Sequence, residues 1–213
     1  ASAHSGIICY YGSTSPTITN SLISSCNYGI YYYKPAWIDS CTIKNSKYGI
    51  LVIIGSNNGT DGHISNCLIE DNWYQGIRIY SLTYDDLYIN NNTIRDNDYV
   101  GTSTNYGIYY SNGGGTVYVK NNLIYGNDDY GIYSSADDPI EIWDNTIVGH
   151  TVSGIYRNNS TMTIANCILW DNNDDLYNCT ATYSCIEDGD GASDPNTHNI
   201  DDDPCFDPNY HLT

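Results

Sequence analysis

Positive charge is scarce in this 213-residue chain: 7 Lys and Arg stand against 25 Asp and Glu, a formal net charge of −18. That excludes partners needing a basic footprint, so neither nucleic acid nor an anionic membrane surface is expected. Cations and neutral glycans fit better. Methionine and phenylalanine are nearly missing, one of each, and the aromatic content lies in 23 Tyr and 4 Trp, rings with one polar end. No apolar run approaches the length of a membrane span, so no membrane insertion is expected. CxxC pairs are absent although there are 8 Cys. With little lysine and much Ser, Thr, Asn and Tyr, this argues against a zinc or redox centre and for an oxidising, secreted or cell-surface location. No signal peptide is visible, so Ala1 reads as the start of a processed or trimmed chain.

What is present is a repeat. A Gly-Ile pair recurs at Gly6, Gly29, Gly49, Gly76, Gly107, Gly131 and Gly154, at intervals of about 20 to 30 residues. Between the pairs runs a second phrase, as in Ile38-Asp-Ser40-Cys41-Thr-Ile43, Ile64-Ser-Asn66-Cys67-Leu-Ile69, Val119-Lys-Asn121-Asn122-Leu-Ile124 and Ile164-Ala-Asn166-Cys167-Ile-Leu169. Each copy holds short runs rich in Ile, Val, Thr and Tyr, punctuated by Asn, Asp, Ser and Gly, which is strand and turn chemistry with no room for helices. Coils that stack through parallel ladders satisfy every backbone group. The expected fold is therefore all-β: a single-stranded, right-handed parallel β-helix of about seven to eight coils. The coils fill residues 1–178, and 179–213 form a last partial coil and a C-terminal tail or cap in the same domain. Asn20, Ser40, Asn66, Asn91, Asn121, Asp144 and Asn166 fall in one column and are expected to make a polar turn ladder.

With these phrases on the page, the chain resembles the right-handed parallel β-helix, pectate-lyase-like repeat superfamily. It is most similar to secreted bacterial and archaeal repeat proteins that end in a phrase such as Tyr183-Ser-Cys185-Ile-Glu187, Asn199-Ile-Asp201-Asp-Asp203-Pro-Cys205-Phe and Asn209-Tyr-His-Leu212. The resemblance implies the fold and no particular reaction. Cys205 stands where an aliphatic residue is the rule, which points to a bridge peculiar to this chain.

Cys41 and Cys67 share a repeat column, and Cys167 and Cys185 read as a second such pair. A coil spacing of about 4.8 Å lies inside the window for a disulfide, so a bridge and an unpaired thiol ladder both fit. Cys179 and Cys205 are placed to tie the tail down, which leaves Cys9 and Cys26. Sequons occur at Asn58, Asn91, Asn158, Asn159 and Asn178.

Side chains alternate along a strand, so Ile30, Ile50, Ile77, Ile108, Ile132 and Ile155 point inward. The next residues, Ile8, Tyr31, Leu51, Arg78, Tyr109, Tyr133 and Tyr156, point out, and Tyr28, Tyr48, Tyr106 and Tyr130 precede the glycines. These tyrosines serve ladder stacking, a lateral protein interface or a platform for sugar rings. A β-elimination lyase needs an Arg or Lys base with calcium and carboxylates; Arg78, with Asp71, Asp85 and Asp86 near in the repeat, is the candidate. His4, His63, His150, His198 and His211 share no column, which disfavours a hydrolase cluster. No cofactor is required. Calcium is possible at Asp201 to Asp203, or at Asp128 with Asp129, whereas solvated turns explain most other acid pairs.

The reading that follows is an extracellular structural or adhesive β-solenoid that associates with copies of itself into a filament or surface layer, through coil ends and tyrosine-rich faces. The first coil carries no cap, and a bare strand edge invites another chain. The alternative is a carbohydrate-active lyase or hydrolase, or a glycan-binding module, with polysaccharide as partner.

Overall fold

The computed structural model describes residues 4–10, 15–54, 59–83, 85–98, 104–191, 194–208, 210 and 212. It is a parallel β-solenoid of three sheets, each with eight strands in strict coil order. Sheet A collects Ser5–Cys9, Tyr28–Tyr32, Tyr48–Ile54, Gln75–Leu82, Tyr106–Tyr110, Tyr130–Ser134, Ser153–Arg157 and Leu176–Tyr177. Sheet B runs from Thr17–Thr19 to Ala181–Thr182, and sheet C from Leu22–Ser24 to Cys185–Ile186. Among the described residues no helix is long and apolar enough to cross a membrane.

The inward isoleucines form continuous columns. Ile30, Ile50, Ile77, Ile108, Ile132 and Ile155 pair in register down sheet A and are fully buried. Tyr32 and Tyr110 also point inward and are fully buried, which their polar rings did not suggest. The repeat glycines have a steric cause: a Cβ on Gly49 would lie 2.4 Å from the Gly76 carbonyl oxygen, and one on Gly107 would lie 2.7 Å from that of Gly131. Any side chain there would push two coils apart.

The corner between sheets B and C is turned by one residue in the left-handed region. Asn20, Ser40, Asn66, Asn91, Asn121, Asp144 and Asn166 have φ between 49° and 58°, a conformation that Asn and Asp tolerate best after glycine. Links between coils do run along this exposed column, from Asn121 Nδ2 to Asn91 Oδ1 at 2.7 Å and from Asn166 Nδ2 to Asp144 Oδ1 at 3.3 Å, while Asn66 Nδ2 reaches Asp39 Oδ1, one residue beside the column, at 2.7 Å.

The stronger ladder is buried and lies one residue later. Asn92 Oδ1 accepts the Cys67 N–H at 2.9 Å, Asn122 Oδ1 accepts the Asn92 N–H at 2.9 Å, and Asn145 Oδ1 accepts the Asn122 N–H at 2.9 Å. Each amide also donates to the coil before it, as Asn122 does to Ile89 O at 2.8 Å. A second buried ladder, between sheets C and A, runs through Ser46, Asn72, Asn97, Asn127, His150 and Asn172.

The ladders explain the cysteines: of the two arrangements that fitted Cys41 and Cys67, the unpaired thiol ladder is present and the bridge is not, and the bridge expected between Cys179 and Cys205 is absent. Cys9, Cys26, Cys41, Cys67, Cys167, Cys179, Cys185 and Cys205 are all free thiols. Cys67 Sγ donates to Ser65 O at 3.1 Å and to Ile38 O at 3.9 Å; Cys167 donates to Ala165 O at 3.3 Å and to Ile142 O at 3.7 Å. These are the carbonyls that an asparagine amide takes in neighbouring coils, so cysteine here substitutes for asparagine as a weak donor. Burial pushes the Cys67 thiol up to about 12 and that of Cys167 up to about 11, which suppresses the thiolate that disulfide exchange requires. Cys185 is not in the Cys167 column: it pairs with Ile168, while Ser184 takes the ladder position and its hydroxyl accepts the Cys167 N–H at 3.0 Å. Cys179 lies beneath the last coil and Cys205 is exposed in the tail, each bonded to a carbonyl rather than to the other.

Two predictions follow from the ladders. Asn122→Ala leaves the Asn92 N–H without its acceptor and takes a donor from the Ile89 carbonyl in a dry corner. Denaturant titration should show a loss of about 2 to 3 kcal/mol, whereas wild-type stability would contradict a structural ladder. His150 is wedged between Asn127 and Asn172, its Nδ1 lying 2.8 Å from Asn172 Oδ1, and burial pushes it down to about 4 from an ordinary 6.5. Between those values the unfolded chain binds a proton that the folded chain refuses, so this group makes stability fall on acidification. Asp175, tied to Asn172 at 2.8 Å and pushed by burial up to about 6 from 3.8, acts in the opposite sense across nearly the same window. His150→Asn removes the first effect and leaves the second. Its melting temperature relative to wild type should be higher at pH 4.5 than at pH 7; equal differences at the two values would show that His150 does not titrate against the fold.

Candidate functional site

Sheet A stands apart in charge. None of its strands contains Asp or Glu, while the chain as a whole carries 25. Acids are present on the other two sheets, at Asp39 and Glu141 on sheet B and Glu70 on sheet C. Glu70 is buried between Lys44 at 3.4 Å and Arg95 at 2.5 Å.

The predicted tyrosine columns lie together on the outer face of sheet A. Tyr28 stacks on Tyr48 at 5.2 Å, Tyr106 on Tyr130 at 5.4 Å, Tyr133 on Tyr156 at 4.8 Å and Tyr156 on Tyr177 at 4.3 Å. The two sets cross edge to face where Tyr130 meets Tyr156, at 78°. Tyr31 hydrogen-bonds the Tyr33 hydroxyl. Rings stacked along the axis spend their faces on each other, so what they offer outward is largely edges and hydroxyls. That suits a protein interface better than a platform for flat sugar rings.

Arg78 sits within this face in a cleft of about 240 Å³ lined by Tyr28, Tyr31, Tyr48, Leu51, Ile53 and Tyr80. Its guanidinium carbon lies 5.7 Å from the Tyr48 ring centre, 5.5 Å from that of Tyr80 and 5.5 Å from that of Tyr109. Its Nε is buried without a hydrogen-bond partner, and among the described residues no carboxylate pairs with it. Leu51, expected to face outward, does so beneath these rings and is buried. The acids grouped with Arg78 as a lyase set do not gather there. Asp85 Oδ1 accepts the Gly59 N–H at 3.1 Å, Asp86 Oδ1 accepts the Thr116 N–H at 2.8 Å, and Asp71 turns a corner at φ 54°.

The tail acids are also arranged differently from expectation. Among the described residues Asp201 and Asp203 join no cluster of metal-ligand geometry, whereas Asp174, Asp188 and Asp190 each bring a carboxylate oxygen within 4.8 Å of the others. Burial, and then Asp188, push the Asp174 carboxyl above its usual range. Asn158, Asn159, Asn91 and Asn178 are exposed, and Asn58 and His211 lie outside the described residues.

Sheet B carries a second aromatic ladder that the sequence reading missed: Trp37 on His63 at 4.0 Å, His63 on Tyr88 at 5.0 Å and Tyr88 on Tyr118 at 4.7 Å. The alternation used for sheet A would have found it, since each of these residues precedes an inward Ile or Val. Acids flank it: after burial, Asp61 and Asp86 are the main causes raising the Tyr88 hydroxyl, as Asp129 contributes to raising Tyr130 at the margin of sheet A.

Tyr106 tests the packing of the sheet A face. Burial, opposed by a hydrogen bond with Thr104, pushes it up to about 12 from an ordinary 10, so this group makes stability fall as pH rises between those values. An ultraviolet titration should lose a phenolate step near pH 12 in Tyr106→Phe; loss of a step near pH 10 would mean an open face.

A family model described as a right-handed β-helix region matches residues 2–147. Neither the comparison with curated proteins nor that with solved structures finds a match. With three parallel sheets stacked coil on coil through and beyond the matched stretch, the chain belongs to the right-handed β-helix family.

Proposed function

We propose that this protein is an extracellular structural or adhesive β-solenoid whose copies associate laterally through sheet A, building a fibre or surface layer. The observation that carries the reading is the segregation of charge: a chain of net charge −18 keeps acids out of one sheet and covers that sheet with tyrosine. Like-charged copies repel, and the side that favours approach is the one whose strands carry no carboxylate. Tyr and Arg are also the residues enriched at the centres of protein interfaces. Oxidising surroundings are compatible with the buried thiols of Cys9, Cys41, Cys67 and Cys167, and the exposed sequons at Asn158 and Asn159 lie where glycans would project into solvent. Coil ends contribute less to this reading. The last strands, Leu176–Tyr177, Ala181–Thr182 and Cys185–Ile186, have two residues each, and Asn199 and Ile200 bond over them; short, covered edges recruit poorly.

Electron microscopy and sedimentation of the purified full chain test the reading. Wild type should form extended assemblies, and Tyr133→Glu, which places a carboxylate on the face, should disperse them while leaving the circular dichroism unchanged. A wild type that stays monomeric at high concentration would overturn the proposal.

A further inference from the structure

Two unmatched features of opposite charge lie far apart on the solenoid. One is the Arg78 cleft on sheet A, between the second and fourth strands of that sheet, with a guanidinium flanked by three rings and a buried Nε that lacks an acceptor. A cation held this way has lost part of its hydration and gained no anion in return, so a carboxylate entering the cleft would meet a partner already partly desolvated. The other is the acidic run at the C-terminal end. Asp201, Asp202 and Asp203 are all exposed; Asp203 Oδ1 accepts the Cys205 N–H at 2.8 Å, and the carboxylates of Asp201 and Asp202 have no hydrogen-bond or ion-pair partner among the described residues.

The tail cannot serve its own cleft. Ile200 is bridged to Cys185 beyond the last strand of sheet C, and Tyr210 rests on Tyr125 of the same sheet at 5.0 Å, which fixes the run to the far end and to another side of the solenoid. A second copy has no such restriction. We propose that the Arg78 cleft receives the Asp201–Asp202 carboxylates of a second copy. This rests on the association reading above and narrows it, naming the group that enters the sheet A face. Because cleft and tail are different surfaces, the contact is heterologous: every copy that joins still offers one free cleft and one free tail, and growth is open-ended unless the rotation closes a ring.

Sedimentation of the full chain in four forms tests this: wild type, Arg78→Gln, the double variant Asp201→Asn/Asp202→Asn, and an equimolar mixture of the two variants. Each variant alone should associate at least about tenfold more weakly than wild type. The mixture should stop at dimers, since one intact cleft and one intact tail remain. The double variant also separates this contact from overall repulsion: it reduces the negative charge by two, from −18 to −16, and would associate more tightly if repulsion alone governed assembly. Association equal to or tighter than wild type in the double variant overturns the cleft-and-tail contact and leaves the sheet A reading standing. A wild type that does not associate overturns both.

Discussion

No coil of this protein can satisfy its own polar groups. Its backbone N–H and C=O groups bond to the coils above and below, and at two corners the buried N–H of one coil is accepted by an asparagine side chain of the next. An unpaired group in a dry corner costs as much as a lost hydrogen bond, so position within the coil decides which residues are admissible. The ladder column takes Asn, Cys or Ser, each able to donate to a corner carbonyl, as Asn122 does to Ile89 O, Cys67 to Ser65 O and Ser184 to Thr182 O. The glycine column takes no side chain because the next coil's carbonyl oxygen occupies the space. Stability is then built between neighbours.

Such a scaffold leaves the outward positions free. On sheet C they hold a buried glutamate between two cations; on sheet B, an aromatic ladder flanked by acids; on sheet A, tyrosine without acid. Stacking adds stability in all aromatic columns and therefore does not by itself explain the difference between sheets A and B. The absence of carboxylates from the strands of sheet A, with an arginine caged by three of its tyrosines, is what the proposed association rests on.

Much of the fold was legible because a parallel solenoid repeats its constraints in register. The Gly-Ile pairs mark a crowded backbone and an inward isoleucine at once, and the strand alternation assigned Tyr31, Arg78, Tyr109, Tyr133 and Tyr156 to the outer face. The buried asparagine ladders were less visible. The eye falls on Asn91 and Asn121, which turn the corner, while Asn92 and Asn122 beside them carry the buried bonds. Cysteine in that column resembled a disulfide framework until the carbonyls it bonds were known. Cys185 was misplaced by one residue because the last coil is shorter than the others. Tyr32 and Tyr110 were hidden by composition, since a ring that is amphipathic on average can still be packed inward. The Arg78 cleft could not be read at all: it depends on Tyr80 and Ile53, which lie where Tyr48–Ile54 and Gln75–Leu82 lengthen and their register shifts between Ile79 and Ser81.

The central claim is that sheet A is the face through which this solenoid meets its partner copies. Hydroxyl-radical footprinting over a concentration series addresses it most directly, because both aromatic faces report in one experiment. As assemblies form, Tyr80, Tyr109, Tyr133 and Tyr177 should lose reactivity while Trp37 and Tyr118 on sheet B keep theirs. Equal protection of the two sheets, or protection of sheet B alone, would contradict it.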